Sequence, residues 1–296
     1  MASLQDKVVF ITGAGRGIGA EVARRLHGKG AKLVLTDLGE AELKSIAAEL
    51  GGDGRVLTAV ADVRDLSAMQ AAADQAVAIF GGIDVVVANA GIASYGSVLN
   101  IDPEVFTRVI DVNLLGVFHT VRATLPAIVE RRGYVLIVSS LAAFAAAPGM
   151  ANYDISKAGN EHLANSLRLE VAHLGVDVGS AHMSWIDTAL VRDTKGDMPA
   201  FADMVASMPW PLNRTTSVDK CADAFVKGIE GRKDHVYCPR WVGLFRWIKP
   251  VLSTRIGEAP IRKIAVDMVP RMDADVAALG RATSAYNESM ESPPNS

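Results

Sequence analysis

Cysteine is nearly absent: the chain has two in 296 residues, Cys221 and Cys238, in no metal-ligand spacing. A disulfide scaffold and a zinc centre are therefore not expected, and no metal site is predicted. Charge of one sign is also missing, since thirty basic side chains against thirty-three acidic ones leave a net charge of −3. A dedicated nucleic-acid binder would carry a basic stripe, so nucleic acid is not an expected partner. No uninterrupted apolar run reaches bilayer-spanning length, and residues 1–7 enter a strand-like run without the layout of a signal peptide. The expectation is a soluble, reducing, cytoplasmic protein.

Half of the residues are hydrophobic and 21% are charged, which excludes a disordered chain. A chain of this length buries roughly three quarters of its unfolded surface and needs no staple to fold. Val8–Ile11, Leu33–Thr36, Val85–Ala88 and Val135–Val138 are short apolar runs, the pattern of strands covered on both faces. Helical spacing lies between them. Ile18, Val22 and Leu26 recur at four-residue intervals, an Ala-rich stretch over 65–80 stops at Gly81-Gly82, and Phe106, Val109, Ile110, Leu114, Val117 and Phe118 mark 104–131. This alternation continues to about residue 182 and predicts a three-layer α/β/α, doubly wound parallel sheet. Beyond residue 185 the rhythm breaks: 192–217 reads as irregular, 218–230 as a helix and His235–Tyr237 as a strand. The predicted organisation is one domain over 1–239 with a substrate lid at about 190–215, a helical C-terminal extension over 240–290, and a frayed tail over 291–296.

The strand Val8–Thr12 runs into Gly13-Ala14-Gly15-Arg16-Gly17-Ile18-Gly19 and then a helix. Glycines clear Cβ atoms from a turn that a pyrophosphate must approach, and a helix N-terminus offers free N–H groups. Gly15-x-Gly17-x-x-Ala20 fits one dinucleotide spacing and Thr12-Gly13-x-x-x-Gly17-x-Gly19 another. Asp37 ends the second strand, where a carboxylate accepts hydrogen bonds from ribose hydroxyls and repels a 2′-phosphate. That favours NAD. Arg16, a guanidinium inside the turn, supports NADP as the alternative.

Tyr153 and Lys157 stand four apart at the start of a helical stretch running to about residue 174, so they share a face. A neighbouring ammonium favours phenolate and is expected to lower the Tyr153 pKa into a range useful for proton transfer. Ser140 follows the strand Tyr134–Val138, at the sheet end where ligands sit, and its hydroxyl could hold a substrate oxygen. Ser139 is the competing choice.

Together with Asn89-Ala90-Gly91 and Asn113, these motifs make the chain resemble the short-chain dehydrogenase/reductase family over roughly residues 5–240. The resemblance implies a Rossmann-like sheet of seven strands and a catalytic tetrad of Asn113, Ser140, Tyr153 and Lys157. It implies that Asp62 and Val63 contact adenine, that Asn89, Ala90 and Gly91 support the strands beside the cofactor, and that Ile186 and Thr188 hold the nicotinamide carboxamide. Tyr153 would exchange the alcohol proton, Lys157 would hold the nicotinamide ribose, and Asn113 would hold a relay water. One departure stands out: where the family has Pro-Gly before that threonine, this chain has Met183-Ser184. The family also implies a homotetramer, or a homodimer if the extension blocks one interface.

The lid concentrates Met198, Phe201, Met204, Met208 and Trp210, and Phe144 and Met150 precede Tyr153. These predict a small lipophilic substrate, such as a steroid, long-chain or terpenoid alcohol or ketone. An NADPH-dependent reductase of 3-oxoacyl thioesters is the alternative, and a non-catalytic dinucleotide sensor the distant one. The stretch 240–263 is basic, aromatic and amphipathic. Such a segment can lie on an anionic membrane surface, cap the substrate pocket or join a subunit interface.

Overall fold

The computed structural model describes residues 3–51 and 54–290, so the expected tail at 291–296 lies outside the described residues. Seven strands form one parallel sheet: β1 Val8–Thr12, β2 Lys32–Asp37, β3 Val56–Val60, β4 Val85–Ala88, β5 Tyr134–Val138, β6 Asp177–Met183 and β7 His235–Cys238. Their spatial order is β3-β2-β1-β4-β5-β6-β7. Ile11 of β1 pairs with Leu35 on one side and Val87 on the other. The strand order reverses between β1 and β4, and a ligand crevice opens beyond the strand ends at such a switch point.

β1 and β5 are buried at every position, as their unbroken apolar runs require of strands covered on both faces. On one face pack α1 Gly17–Gly28, α2 Glu40–Glu49 and α9 Val218–Glu230, through Val22, Leu26, Leu43, Ile46, Phe225 and Ile229. On the other pack α3 Leu66–Phe80, α5 Gly116–Arg131 and α6 Ala151–Val171, through Met69, Ala73, Val117, Val121, Ala164 and Leu167. Each fully buried Val, Leu or Ile here contributes roughly 1.5–3 kcal/mol. The Ala-rich α3 starts where Asp65 accepts the N–H groups of Ser67 and Ala68, and stops at Gly81 in the left-handed region at φ 79°.

The predicted helix over 104–131 is α4 Pro103–Ile110 running through a π-helical turn, Asp111–Leu115, into α5. This run is long and apolar enough to cross a membrane by length and composition only, although it contains no long uninterrupted apolar stretch. Its sequence is broken only by scattered polar residues, and 56% of its most apolar window is buried inside the protein, which is how a core helix also behaves.

The stretch read as irregular is helical: α7 Ala189–Asp197 and α8 Pro199–Ser207. Thr188 caps α7 by accepting the Val191 N–H, and Pro199 opens α8 at its first position. Phe201, Met204 and Val205 lie at helical spacing and are buried against the extension. The extension itself comprises α10 Val242–Leu252, α11 Arg255–Leu279 and α12 Ala285–Ser289. Its break falls at Ser253-Thr254, because α10 accommodates Pro250 near its end. Leu244, Trp247 and Val251 share one exposed face of α10, while Lys249 pairs with Glu161 of α6 at 3.2 Å. α11 packs on α8, where Met268 and Met272 join Tyr95, Met150, Phe201 and Met204 in a third core. The two cysteines, remote in sequence, meet in space as free thiols, with a hydrogen bond joining Cys221 of α9 to Cys238 of β7.

Candidate active site

The cavity lies at the strand ends on the switch point, and the glycine turn forms one wall. Gly13 and Gly17 hold φ of 63° and 58°, values that glycine adopts without steric cost. At Gly19 a Cβ would stand 2.2 Å from the Gly13 carbonyl oxygen, so the turn closes only without one. α1 begins at Gly17 behind an extended Arg16 that provides no side-chain cap. The first N–H groups of α1 are thus left for a ligand, the arrangement that suits a pyrophosphate.

Asn89 holds this turn against β4. Its Nδ2 donates to the carbonyls of Thr12 and Gly13 at 2.9 and 3.1 Å, and its backbone N–H donates to Thr12 Oγ1 at 3.0 Å. Ala90 makes the matching backbone bond to Thr12 Oγ1 at 3.1 Å. Gly91 admits no side chain, since a Cβ there would lie 3.1 Å from Asn113 Oδ1 and 3.4 Å from Lys157 Nζ.

Asp37 closes the far end of the cavity. Its Oδ2 accepts the Gly15 N–H and its Oδ1 the Leu38 N–H, both at 2.8 Å. Asp62 and Val63 line the same end, with the Asp62 carboxylate 2.7 Å from Arg64. Arg16 lines the cavity while engaged by two side chains. Its guanidinium carbon sits 3.2 Å from the centroid of the Tyr286 ring, and Nη2 donates to Asn287 Oδ1 at 3.2 Å. The glycine cradle, the free helix N-terminus and the carboxylate together fit a dinucleotide.

Tyr153 and Lys157 project from the first turns of α6 into the opposite end. The expectation that Lys157 lowers the Tyr153 pKa is not met. Burial pushes the phenol up to about 12, opposed by a hydrogen bond from Ser140, and the nearby Asp154 adds to the rise. Lys157 Nζ lies 5.6 Å from the Tyr153 ring centroid and donates to the Val138 carbonyl at 3.1 Å. Burial draws the Lys157 ammonium down to about 8. The choice between the two serines is resolved by partners. Ser139 Oγ donates to the Lys157 carbonyl at 2.7 Å and is committed to α6, whereas Ser140 reaches the phenol.

Asn113 sits in the π-helical turn, a local widening that often marks functional sites. Its side chain is fully engaged: Oδ1 accepts the Ile92 N–H at 2.8 Å, and Nδ2 donates to the Ile92 carbonyl at 2.9 Å and to Ser156 Oγ at 3.1 Å. Ser156 Oγ in turn donates to the Tyr153 carbonyl at 2.7 Å. Asn160 Nδ2 donates to the Asn113 carbonyl at 2.8 Å.

Of the residues expected here, the turn residues Gly13, Arg16, Gly17 and Ile18, the run Asn89–Gly91, Thr188 and the pairs just described at each end reach the cavity wall. Gly15, Gly19, Asn113, Ser140 and Ile186 do not line this cavity, Ser140 lying beside Tyr153, which does. Ile186 pairs with Thr216 in an isolated bridge, and the Asp187 N–H and Trp185 carbonyl also bond Thr216 at 2.8 Å. Thr188 lines the cavity with Met183-Ser184 standing where the resemblance implies Pro-Gly. Phe144 stacks on His182 at 4.4 Å and Trp185 meets Phe201 edge-on at 5.5 Å. Met198 and Met204 are buried against α11, and Tyr153, Trp185 and Leu190 are among the partly open members of that cluster. Sequence reasoning missed Ser156, Asn160, Tyr286, Asn287 and Met290. The first two lie at helical spacing from Tyr153; no local signal marks the others.

Residues 7–199 match the family model described as short chain dehydrogenase. The oxidoreductase UcpA of Salmonella typhimurium is 36% identical over 218 residues, 71% of this chain and 82% of that protein. An uncharacterized NAD-dependent oxidoreductase of Mycobacterium tuberculosis is 32% identical over 76% of this chain and 89% of its own length. A crystal structure of a short chain dehydrogenase from Mycobacterium paratuberculosis bound to NAD aligns with TM-score 0.70 at 27% identity, covering 80% of this chain and 97% of that one.

Proposed function

The chain belongs to the short chain dehydrogenase family and is an oxidoreductase, and on that premise we propose that it moves a hydride between NAD(H) and a secondary alcohol or ketone with an apolar skeleton. One observation carries the reading. A phenol near Ser140 and one helical turn from Lys157 shares a cavity with the Asp37 carboxylate.

When bound, the nicotinamide supplies the hydride-accepting or hydride-donating carbon. The glycine turn and the N-terminus of α1 would hold the pyrophosphate, Asp37 the adenosine ribose, and Asp62 and Val63 the adenine. Thr188, backed by Ile186, would hold the carboxamide. In alcohol oxidation Tyr153 Oη removes the hydroxyl proton, and in ketone reduction it returns one. Ser140 Oγ orients the substrate oxygen and stabilises charge developing on it. The Lys157 ammonium would hold the nicotinamide ribose. The Asn113 carbonyl has a second lone pair beside the Asn160 bond and would take the relay water.

The apolar preference is supported by the company Tyr153 keeps, with Trp185 and Leu190 partly exposed beside it in the third core. NAD is favoured over NADP by Asp37 and by the capture of Arg16 on Tyr286. The expected lid and the extension would act as one unit over the substrate end, because α8 and α11 share a core. Exposed Leu115, Phe118, Ile155 and Leu169 on the α4–α5 and α6 helices would pair subunits. The test is a fluorescence titration with NADH and NADPH, followed by a screen of lipophilic alcohols with NAD. Tighter NADPH binding would replace this reading with the thioester-reductase one.

A further inference from the structure

The C-terminal segment after α11 returns across the molecule to the cofactor cavity. Arg281 Nη2 donates to Asp197 Oδ2 of α7 at 2.6 Å, the Ala282 carbonyl accepts the Tyr95 N–H at 2.8 Å, and Thr283 pairs antiparallel with Ser94. Ser284 then caps α12, whose Tyr286 and Asn287, with Met290 just beyond, line the cavity. α12 is tied to both the glycine turn and α4. Tyr286 and Asn287 hold Arg16, and Glu288 lies 3.5 Å from Arg108. The Tyr286 hydroxyl also stands over the turn after β2, where a Cβ on Gly39 would lie 3.1 Å from it. α12 therefore covers the Asp37 end of the cavity.

Asn287 is only 7% exposed. Its Oδ1 accepts from Arg16, which fixes the amide orientation and leaves Nδ2 as the other, donating end. Among the described residues, that buried Nδ2 has no hydrogen-bond partner. A buried donor without an acceptor is costly, and Asn287 is among the residues lining the cavity, so a group bound there can supply the acceptor. The structure assigns it one: we propose that Asn287 Nδ2 donates to an oxygen of the bound dinucleotide, so that α12 is a cofactor-binding element contributed by the extension. This rests on the dinucleotide reading of the cavity. Ribose hydroxyls and pyrophosphate oxygens both offer the acceptor.

The test compares NADH affinity and stopped-flow NADH dissociation for wild type, Asn287→Ala and Asn287→Asp. Loss of the donor should weaken NADH binding roughly tenfold, mostly as faster dissociation. Asn287→Asp decides the matter, and it does so even if the alanine variant folds poorly. It keeps an acceptor for Arg16, and the repulsion from its added charge is screened at high salt, so there a residue that merely anchored Arg16 would leave binding intact. A donor to the cofactor predicts weakening at least as large as in Asn287→Ala, with the cofactor-free melting temperature of Asn287→Asp near wild type. NADH bound equally by wild type and Asn287→Asp would overturn this assignment alone. A wild type that binds neither NADH nor NADPH would overturn the cavity reading along with it.

Discussion

The Asp37 carboxylate accepts the Gly15 N–H at 2.8 Å, so the residue that faces the cavity also holds the glycine turn. Asp37→Ala should therefore do two things. It should cost on the order of 1 kcal/mol of stability through the lost hydrogen bonds. It should also weaken NADH binding roughly tenfold or more and erase the discrimination against NADPH. Parallel titrations of both dinucleotides check this; a variant that still prefers NADH would show that Asp37 only braces the turn.

Tyr153→Phe keeps the ring and removes the hydroxyl. Activity should fall about 10²–10⁴-fold while NADH affinity stays close to wild type, because the phenol acts on a proton. Ser140→Ala should lower kcat/KM as well. Ser139→Ala should act through stability, because its hydroxyl is tied to the Lys157 carbonyl at 2.7 Å. Steady-state rates with thermal melts separate the two serines.

Asp154 gives the pH dependence a sign. Burial raises its carboxyl to about 7, against which the Ala147 N–H bond acts weakly. The ordinary value is about 3.9, so the folded state binds more protons than the unfolded between those two values. The stabilisation is full below the unfolded value and is lost as pH rises through about 7. Asp154→Asn should remove that loss, so its melting temperature should gain on wild type as pH rises from about 4 to about 8. Ionised Asp154 also raises the phenol, whose pKa of about 12 makes alcohol oxidation climb with pH through the alkaline range. In Asp154→Asn that climb should begin at lower pH, a shift read from the pH–rate profile.

The sheet and the catalytic end of the cavity are legible in the sequence for a physical reason. Parallel strands need unbroken apolar runs, and Tyr153 and Lys157 share a helix whose spacing brings them together. Arg16 shows where such legibility stops. Its neighbours in sequence say nothing of Tyr286, because the stacking depends on where α11 delivers the chain. The lid fails for a related reason: Met198, Phe201 and Met204 read as loose apolar residues until α11 supplies the face they bury. The Tyr153 pKa is a third case, since spacing shows the Lys157 charge but not the burial that outweighs it.

Phe201 joins the lid to the extension. It is fully buried, 4.9 Å from Tyr95 and 5.5 Å from Trp185 between ring centroids, in the core shared with Met272 of α11. Phe201→Ala should leave a cavity and cost about 3–5 kcal/mol if the whole domain unfolds as one. Loosening is also local, because Phe201 sits in a core separate from the two that hold the sheet. The expected pattern is therefore a raised KM for an apolar substrate at nearly unchanged NADH affinity, with increased amide exchange confined to α7, α8 and α11. An unchanged KM with a lowered melting temperature would show that the lid core supports the fold without shaping the substrate site.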